Sequence, residues 1–450
     1  MLNFTKKENR RFDFLFEFMV EELNTTMNEF KKSNNERYEM YERAIAEWEI
    51  YSTNLEEKEG HHFGYPANLS KRSFLVDFFR MMESFGGLKN NVGDIWDTGD
   101  ANLSSRETGN NYAMHLKVIE WEIVRLIADN FNLPEQPELI EITKKPEKYE
   151  DGYWGYITSG GSEGNFWGIM QGFNKYPTGV LYFCESAHYS ISKAAGDKIC
   201  QIISQTSAED EAINIEELIK VIRRDWTTLG RPAILVLTYG TTKFGSTDDI
   251  AEIKKRLIEL KVPHYIHVDA ALLGGIPKNQ VSAPKIGCYK EWGYDSISVS
   301  LHKYIAYPCA KGVLISIKKP RGRFIDYIGM DDNTFLGSRD VPAFSLRQQV
   351  IDMLHFSDPN DYINVVNTFS EILNSLNVAF TLSRKDDCIG NIFVFLVDKI
   401  KPSYKEICKK WQLSEFGGKD GKLRIHVIVF PYHTHENLQK VAEDIKRIVI

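Results

Sequence analysis

The sequence predicts an α/β fold: a mostly parallel sheet covered by helices, with a smaller C-terminal α/β lobe. Three observations predict it. Strand-like and helix-like runs alternate between Glu150 and Gly312, the pattern of parallel strands joined by helical crossovers. Several strand-like runs close on a carboxylate, a hydroxyl or a His-Lys pair, and ligands of open α/β sheets bind beyond the carboxyl ends of the strands. From about Gln348 the rhythm changes to a long helix, then strand, helix, strand and a final helix. A chain of 450 residues suits several lobes and can bury a large site.

Taken in order, residues 1 to about 60 are rich in Glu, Lys, Arg and Asn, with apolar positions such as Phe14, Phe18, Leu23 and Trp48 among them. Helices are expected there, either packing on a partner subunit or standing as a solvated appendage. His61 and His62 open a turn with Gly60, Gly64 and Pro66, and two adjacent histidines do not converge on one metal. Helical spacing runs from Lys71 to Met82 and from His115 to Phe131, where Leu116, Ile119, Ile123 and Leu126 share a face. Between them, Gly86 to Asn111 is long for a loop, a length found in binding loops. Tyr112 follows as a candidate for the pocket lining or for a packed core.

Tyr153 to Ile157 reads as a strand, and Thr158-Ser-Gly-Gly-Ser-Glu-Gly-Asn165 leads from it into a helix over Phe166 to Phe173. Further strands are expected at Gly179–Cys184, Ile199–Ser204, Pro232–Thr238, His264–Asp269 and Asp295–Ser300. Helices are expected at Ser190–Lys198, at Ile215–Asp225 with Asn214 as cap and Glu217 three residues on, and at Asp248–Lys261 following Thr247. Ile250, Ile253, Leu257 and Leu260 give the last of these one apolar face. In the C-terminal lobe the pattern gives strands at Asn391–Val397 and Leu423–Phe430 and a helix at Ser403–Trp411.

The chemistry centres on Asp295 to Gly312. Ile297 and Val299 alternate with Ser296, Ser298 and Ser300, and the strand runs directly into His302 and Lys303. A lysine at a strand end is held in place, and with its pKa lowered by its surroundings it forms a Schiff base with an aldehyde. Asp269, followed by the small Ala270 and Ala271, closes another strand and can pair with a pyridinium nitrogen. The Gly-rich turn before Asn165 lets an anion approach free N–H groups at a helix start. Aldehyde, pyridinium and phosphate together point to pyridoxal 5'-phosphate.

On these residues, and on Asn91-Val-Gly-Asp94, His188-Tyr-Ser190 with Lys193, Gly240-Thr-Thr242, Asp248-Asp-Ile250, His267-Val-Asp-Ala-Ala271, Gly337-Ser-Arg339, Trp411-Gln-Leu413 and His426-Val-Ile-Val429, the chain from about Gly64 onward resembles the group II pyridoxal-phosphate-dependent amino-acid decarboxylases. Within that family it resembles the bacterial histidine decarboxylases and plant serine decarboxylases. The resemblance implies a fold-type I enzyme, similar to aspartate aminotransferase, working as a homodimer with shared active sites. It divides the chain into a helical extension (1–60), a segment serving the active site and dimer (61–135), a cofactor-binding large domain (136–347) and a small domain (348–450).

By the same resemblance Lys303 carries the cofactor, Asp269 keeps its ring nitrogen protonated and His188 stacks on the ring, these three being the catalytic set. Gly161, Ser162 and His302 hold the phosphate, with Ser300 as a further candidate. Thr241 and Thr242 support the ring or fix Asp269, and Ala271 joins the cofactor-binding residues. Tyr112, Ser338 and Arg339 face the substrate. The sequence departs from the family at Leu301, at Ala310-Lys311-Gly312 and at Leu336 to Pro342, positions that bear on substrate.

The implied reaction is decarboxylation of an L-amino acid to its amine and carbon dioxide. Histidine, giving histamine, comes first, because Asp248 to Arg256 and Pro431-Tyr-His-Thr434 resemble the bacterial enzymes. Serine or another amino acid, a retro-aldol cleavage with the same cofactor, and a non-catalytic relative are the alternatives.

Composition narrows the field further. A net charge of -7 disfavours nucleic acid and polybasic membrane contacts. No apolar run follows Met1-Leu-Asn-Phe-Thr-Lys-Lys and none is long enough to cross a bilayer, so a cytoplasmic protein is expected. Cys184, Cys200, Cys288, Cys309, Cys388 and Cys408 show no Cys-x-x-Cys spacing, which reads as reduced thiols with neither zinc site nor disulfide framework.

Overall fold

A computed structural model describes residues 46–47, 61–66, 68–69, 73–84, 90–91, 116–136, 152–284, 293–320, 324–325, 330–339, 341–385 and 388–450. The chain divides into two compact units, Met1–Glu59 and Gly60–Ile450. In the first, Ala46 and Glu47 are helical, and the rest of the expected helical extension lies outside the described residues, as do Tyr112 and most of Gly86 to Asn111.

The second unit is built on a seven-stranded sheet. Strands β1 (Trp154–Thr158), β2 (Val180–Cys184), β3 (Cys200–Ile203), β4 (Ala233–Thr238), β5 (His264–Asp269) and β6 (Ser296–Ser300) all point one way, and β7 (Gly312–Ser316) runs against them. Their order is β1-β7-β6-β5-β4-β2-β3. The sequence reading stops at Gly312 and misses β7, which inserts between the edge strand β1 and the strand leading to Lys303. All residues of β1, β2, β4, β6 and β7 are buried, as strands covered on both faces must be.

Among the described residues the helices of this unit are α1 (Phe74–Ser84), α2 (Lys117–Asn130), α3 (Gly161–Lys175), α4 (Tyr189–Ala195), α5 (Ile215–Leu229), α6 (Ile250–Glu259), α7 (Ala343–His355), α8 (Asp361–Ser375), α9 (Tyr404–Lys410) and α10 (His435–Lys446). Ser296, Ser298 and Ser300 look like the wet face of a half-exposed strand, yet all are buried. Helix α3 explains them: a Cβ on Gly164 would come within 2.1 Å of Ser298 Oγ. Helix and sheet approach there at a distance only small residues allow.

Asn214 caps α5 as expected, accepting from the Glu217 N–H at 3.0 Å. Helix α6 starts later than predicted, capped by Asp249, which accepts from the Glu252 N–H at 3.0 Å. Asp248 is unavailable because its carboxylate turns inward to the N–H groups of Thr238 and Ile213, at 2.6 and 2.7 Å. The long helix expected from Gln348 is two helices, α7 and α8, separated around Pro359, whose ring cannot continue a helix.

Beyond α8 a four-stranded antiparallel sheet forms from β8 (Thr381–Lys385), β9 (Cys388–Leu396), β10 (Glu415–Gly417) and β11 (Leu423–Ile428), in the order β8-β9-β11-β10. Among the described residues no helix is long and apolar enough to cross a membrane.

Candidate active site

Because β1, β2, β4, β5 and β6 are parallel, their carboxyl ends share one edge of the sheet. Beyond that edge lies a cavity of about 520 Å³ lined by Gly161, Ser162, His188, Thr241, Thr242, Asp269, Ala271, Ser300, His302 and Lys303. The structure thus brings together every predicted cofactor-binding residue. For Ser338 and Arg339 the backbone alone is described: it pairs antiparallel with Asn91 and Asn90, joining the Gly-Ser-Arg segment to the start of the Asn-Val-Gly-Asp segment.

The backbone around Lys303 is tied from several sides. Its carbonyl accepts from the Asn68 N–H at 3.0 Å, the Tyr304 carbonyl from Asn68 Nδ2 at 2.7 Å and the Ile305 carbonyl from Gln349 Nε2 at 2.7 Å. The ammonium itself makes no hydrogen bond or ion pair among the described residues. Burial pushes its pKa below the ordinary lysine value, with the charge of Asp269 opposing. Such a lysine is the kind that attacks a carbonyl.

Asp269 is buried and firmly oriented. One carboxylate oxygen accepts from the Ala271 N–H at 3.1 Å and the other from Asn165 Nδ2 at 2.8 Å. The suggestion that Thr241 fixes Asp269 is not what is seen: Thr241 Oγ1 accepts from the Ser246 N–H at 3.0 Å and shapes its own turn. His188 has two duties. Its Nδ1 accepts from the Ser190 N–H at 3.3 Å, capping α4, and lies 2.8 Å from Ser190 Oγ, while its ring faces the cavity. Burial lowers its pKa, Asp269 raises it and Lys303 lowers it.

The phosphate-type turn is shaped by glycine. Gly160 has φ of +142°, and a Cβ on Gly161 would lie 2.7 Å from Ser300 Oγ and 3.2 Å from Ala271 Cβ. The turn therefore packs directly on the ends of β5 and β6, with the first N–H groups of α3 left without helical acceptors. His302 Nδ1 lies 3.3 Å from the Lys311 carbonyl and donates to it. Burial lowers its pKa, so its neutral form has no second N–H to offer and it would serve an anion only on being protonated.

Several contributors carry no signal strong enough to find in advance. Glu163 accepts from the Ser159 N–H at 2.7 Å, Ser159 Oγ at 2.8 Å, the Tyr156 hydroxyl at 2.9 Å and the Leu336 N–H at 3.2 Å. It thereby fastens the segment leading to Ser338 against the glycine turn. Across the cavity stand Gly64 to Pro66, Lys243, Ser414 to Phe416 and His426. His426 Nε2 donates to the Gly64 carbonyl at 3.0 Å, and its ring lies 5.7 Å from that of Phe416. Of the departures noted in the sequence, Leu301 is fully buried in the core and does not line the cavity, whereas Ala310 does.

A buried lysine with a lowered pKa, an oriented carboxylate and a helix-start anion cradle converge on one cavity, and this donor set fits an aldehyde, a pyridinium nitrogen and a phosphate. Residues 140–334 match the family model of the pyridoxal-dependent decarboxylase conserved domain. Serine decarboxylase 1 of Oryza sativa subsp. japonica is 30% identical over 400 residues, covering 86% of this chain and 72% of that protein. Histidine decarboxylase of Klebsiella aerogenes is 39% identical over 195 residues, covering 42% of this chain and 50% of that protein. The crystal structure of L-methionine decarboxylase from Streptomyces sp.590 shares the fold, with a TM-score of 0.69 at 17% identity over 90% of this chain and 95% of that one.

Proposed function

The chain belongs to the group II pyridoxal-phosphate-dependent amino-acid decarboxylases, and on that premise we propose that it converts L-histidine to histamine and carbon dioxide with Lys303, Asp269 and His188 as its catalytic residues. The observation that carries this reading is the convergence of those three side chains on one cavity whose opposite wall is both polar and aromatic. Ser414 Oγ and His426 Nε2 both donate to the Gly64 carbonyl, which leaves the Ser414 oxygen as an acceptor and the Phe416 ring as a stacking face on that wall, a setting suited to an imidazole.

When bound, pyridoxal phosphate supplies the electron sink for the carbanion left as carbon dioxide departs. Lys303 would hold its aldehyde carbon through Nζ, and burial, which lowers its pKa, favours loss of the proton from that amine. Asp269 would hold a proton at the ring nitrogen, its carboxylate aimed by Asn165 and Ala271. His188 would cover the ring face. Gly161 and Ser162 would receive the phosphate through N–H groups, with Ser300 and, once protonated, His302 beside them. Ser338 and Arg339 are read as substrate-side residues, with Tyr112 in the same role.

The segments that suggested histidine do not touch the cavity. Asp248 serves backbone N–H groups, and His433 is buried, stacked on Phe63 at 4.1 Å between ring centroids. Serine is therefore a second reading, favoured by the similarity to serine decarboxylase over 86% of the chain. We also read the chain as a cytoplasmic homodimer with domains at 61–135, 136–347 and 348–450 beyond the extension 1–60. A screen of the common L-amino acids, with amine and carbon dioxide measured together, tests the substrate. Histamine with equimolar carbon dioxide supports histidine, ethanolamine replaces it with serine, and aldehyde plus glycine without carbon dioxide sinks the decarboxylase reading.

A further inference from the structure

Behind Asp269 runs a chain of buried polar groups with one consistent direction of donation. The Tyr265 hydroxyl donates to Ser296 Oγ at 2.8 Å, and Ser296 Oγ lies 2.8 Å from His267 Nδ1. His267 Nε2 lies 3.0 Å from Asn165 Oδ1. Asn165 Nδ2 donates to Asp269 at 2.8 Å and to Ser190 Oγ at 3.2 Å, and Ser190 Oγ meets His188 Nδ1 at 2.8 Å. Asn165 and His267 are both fully enclosed.

We propose that Asn165 is a positioning residue that locks the Asp269 carboxylate and, through Ser190, the His188 ring, and that His267 holds Asn165 in the only amide orientation able to do so. This rests on the reading that Asp269 meets the ring nitrogen of the cofactor.

The direction follows from counting donors. Asp269 can only accept, so Asn165 turns Nδ2 to it and Oδ1 to His267, and Ser296 Oγ, which accepts from Tyr265, donates to the bare Nδ1 of His267. Burial holds His267 down to a pKa of about 4, so it is neutral and its single proton sits on Nε2. That N–H requires an oxygen opposite it, which fixes Oδ1 of Asn165. Both amide hydrogens then point at Asp269 and Ser190. Turning the amide over would set N–H against N–H at His267 and oxygen against carboxylate at Asp269. Ser190, accepting from Asn165, donates to His188 Nδ1, which already accepts from the Ser190 N–H, and this leaves the neutral His188 proton on Nε2.

Gly168 is an independent trace of the same device. A Cβ there would fall 2.2 Å from His267 Nδ1, so the helix carries glycine where the histidine ring must lie against it.

The decisive measurement uses the cofactor-loaded protein labelled with ¹⁵N in its histidine rings. The ring-nitrogen shifts, assigned by through-bond correlation from the backbone in a sample also labelled with ¹³C, should show His267 and His188 protonated at Nε2 and bare at Nδ1. Alongside it, cofactor dissociation constants are measured for Asn165→Leu, His267→Phe and the double variant. Asn165→Leu should weaken binding roughly tenfold or more, since a charged acceptor loses a buried donor. His267→Phe should weaken it less, and the double variant no more than Asn165→Leu, because His267 acts through Asn165. A proton on His267 Nδ1, an Asn165→Leu affinity within about twofold of the parent, or additive losses would overturn the proposal. The ring shifts come from unsubstituted protein and decide the matter even if a variant does not fold. Borohydride reduction and peptide mapping separate the two levels: an adduct away from Lys303 removes the reading of the site, whereas an adduct on Lys303 with the wrong tautomer removes this inference alone.

Discussion

The cavity has two walls built by different means. At the edge of the large sheet the functional side chains stand at or just past strand ends and are held locally, Asp269 through its carboxylate by Ala271 and Asn165 and Lys303 through its backbone carbonyl by Asn68. The facing wall comes from short pieces far apart in the chain, Gly64 to Pro66, Ser414 to Phe416 and His426, and is partly open: Tyr65 is 57% exposed. One wall is set before anything binds. The other can change a residue at a time without disturbing the sheet, which is how one cofactor apparatus serves different amino acids.

If that division is right, damage to the first wall should abolish chemistry whatever the substrate. Lys303→Ala should lower kcat by roughly 10³-fold or more and remove the reducible adduct. Turnover within tenfold of the parent would break the comparison at its base. Asp269→Asn leaves the ring nitrogen without its counter-charge. A buried charge deprived of its partner costs about 3–5 kcal/mol, or roughly 10²–10⁴ in kcat, and the loss should be the same for every substrate accepted. Near-normal turnover at full cofactor occupancy would assign the nitrogen another partner.

The walls share one weakness, a buried neutral histidine behind each. His267 is held at a pKa of about 4 and His433 at about 3, both by burial. Since the unfolded residues protonate near 6.5, these groups contribute stability above that pH and lose it as pH falls toward their folded values. Between pH 7 and 5 each should remove about 2 kcal/mol, seen as a falling urea midpoint. A flat midpoint across that window would mean that neither histidine is shielded. The smallest effect separates the walls best. Phe416→Ala should change the ratio of kcat/KM for histidine over serine by roughly tenfold, about 1–3 kcal/mol of lost contact, while cofactor affinity stays put. A loss of cofactor affinity instead would show that the walls are not independent.

What the sequence makes legible follows the same line. Asp269 and Lys303 stand out because a strand period runs straight into them, and the glycine turn because backbone geometry demands glycine. Asn165 and His267 lie inside recognisable segments, but their partners Ser190 and Ser296 are distant in sequence, and nothing local marks a hydrogen-bond chain. Strand β7 escapes because Val313-Leu-Ile315 is too short an apolar run to distinguish from a core loop. Phe416 and Ser414 escape because β10 is three residues long, too short for its alternation to stand out as a strand. Tyr112 lies outside the described residues, so its expected role is carried by the sequence alone.

The reversed strand also fixes when the protein becomes competent during its own synthesis. Among the described residues strand β1 pairs with β7 and with no other strand, so the segment ending in the glycine turn has no described strand to join until Ser316 has been made. Pairing of such distant segments is slow and comes late in folding. A nascent chain emerging from the ribosome at about 5–20 residues per second therefore spends roughly ten to thirty seconds with the anion cradle unanchored, and cofactor capture would mark the closing of the sheet rather than its start.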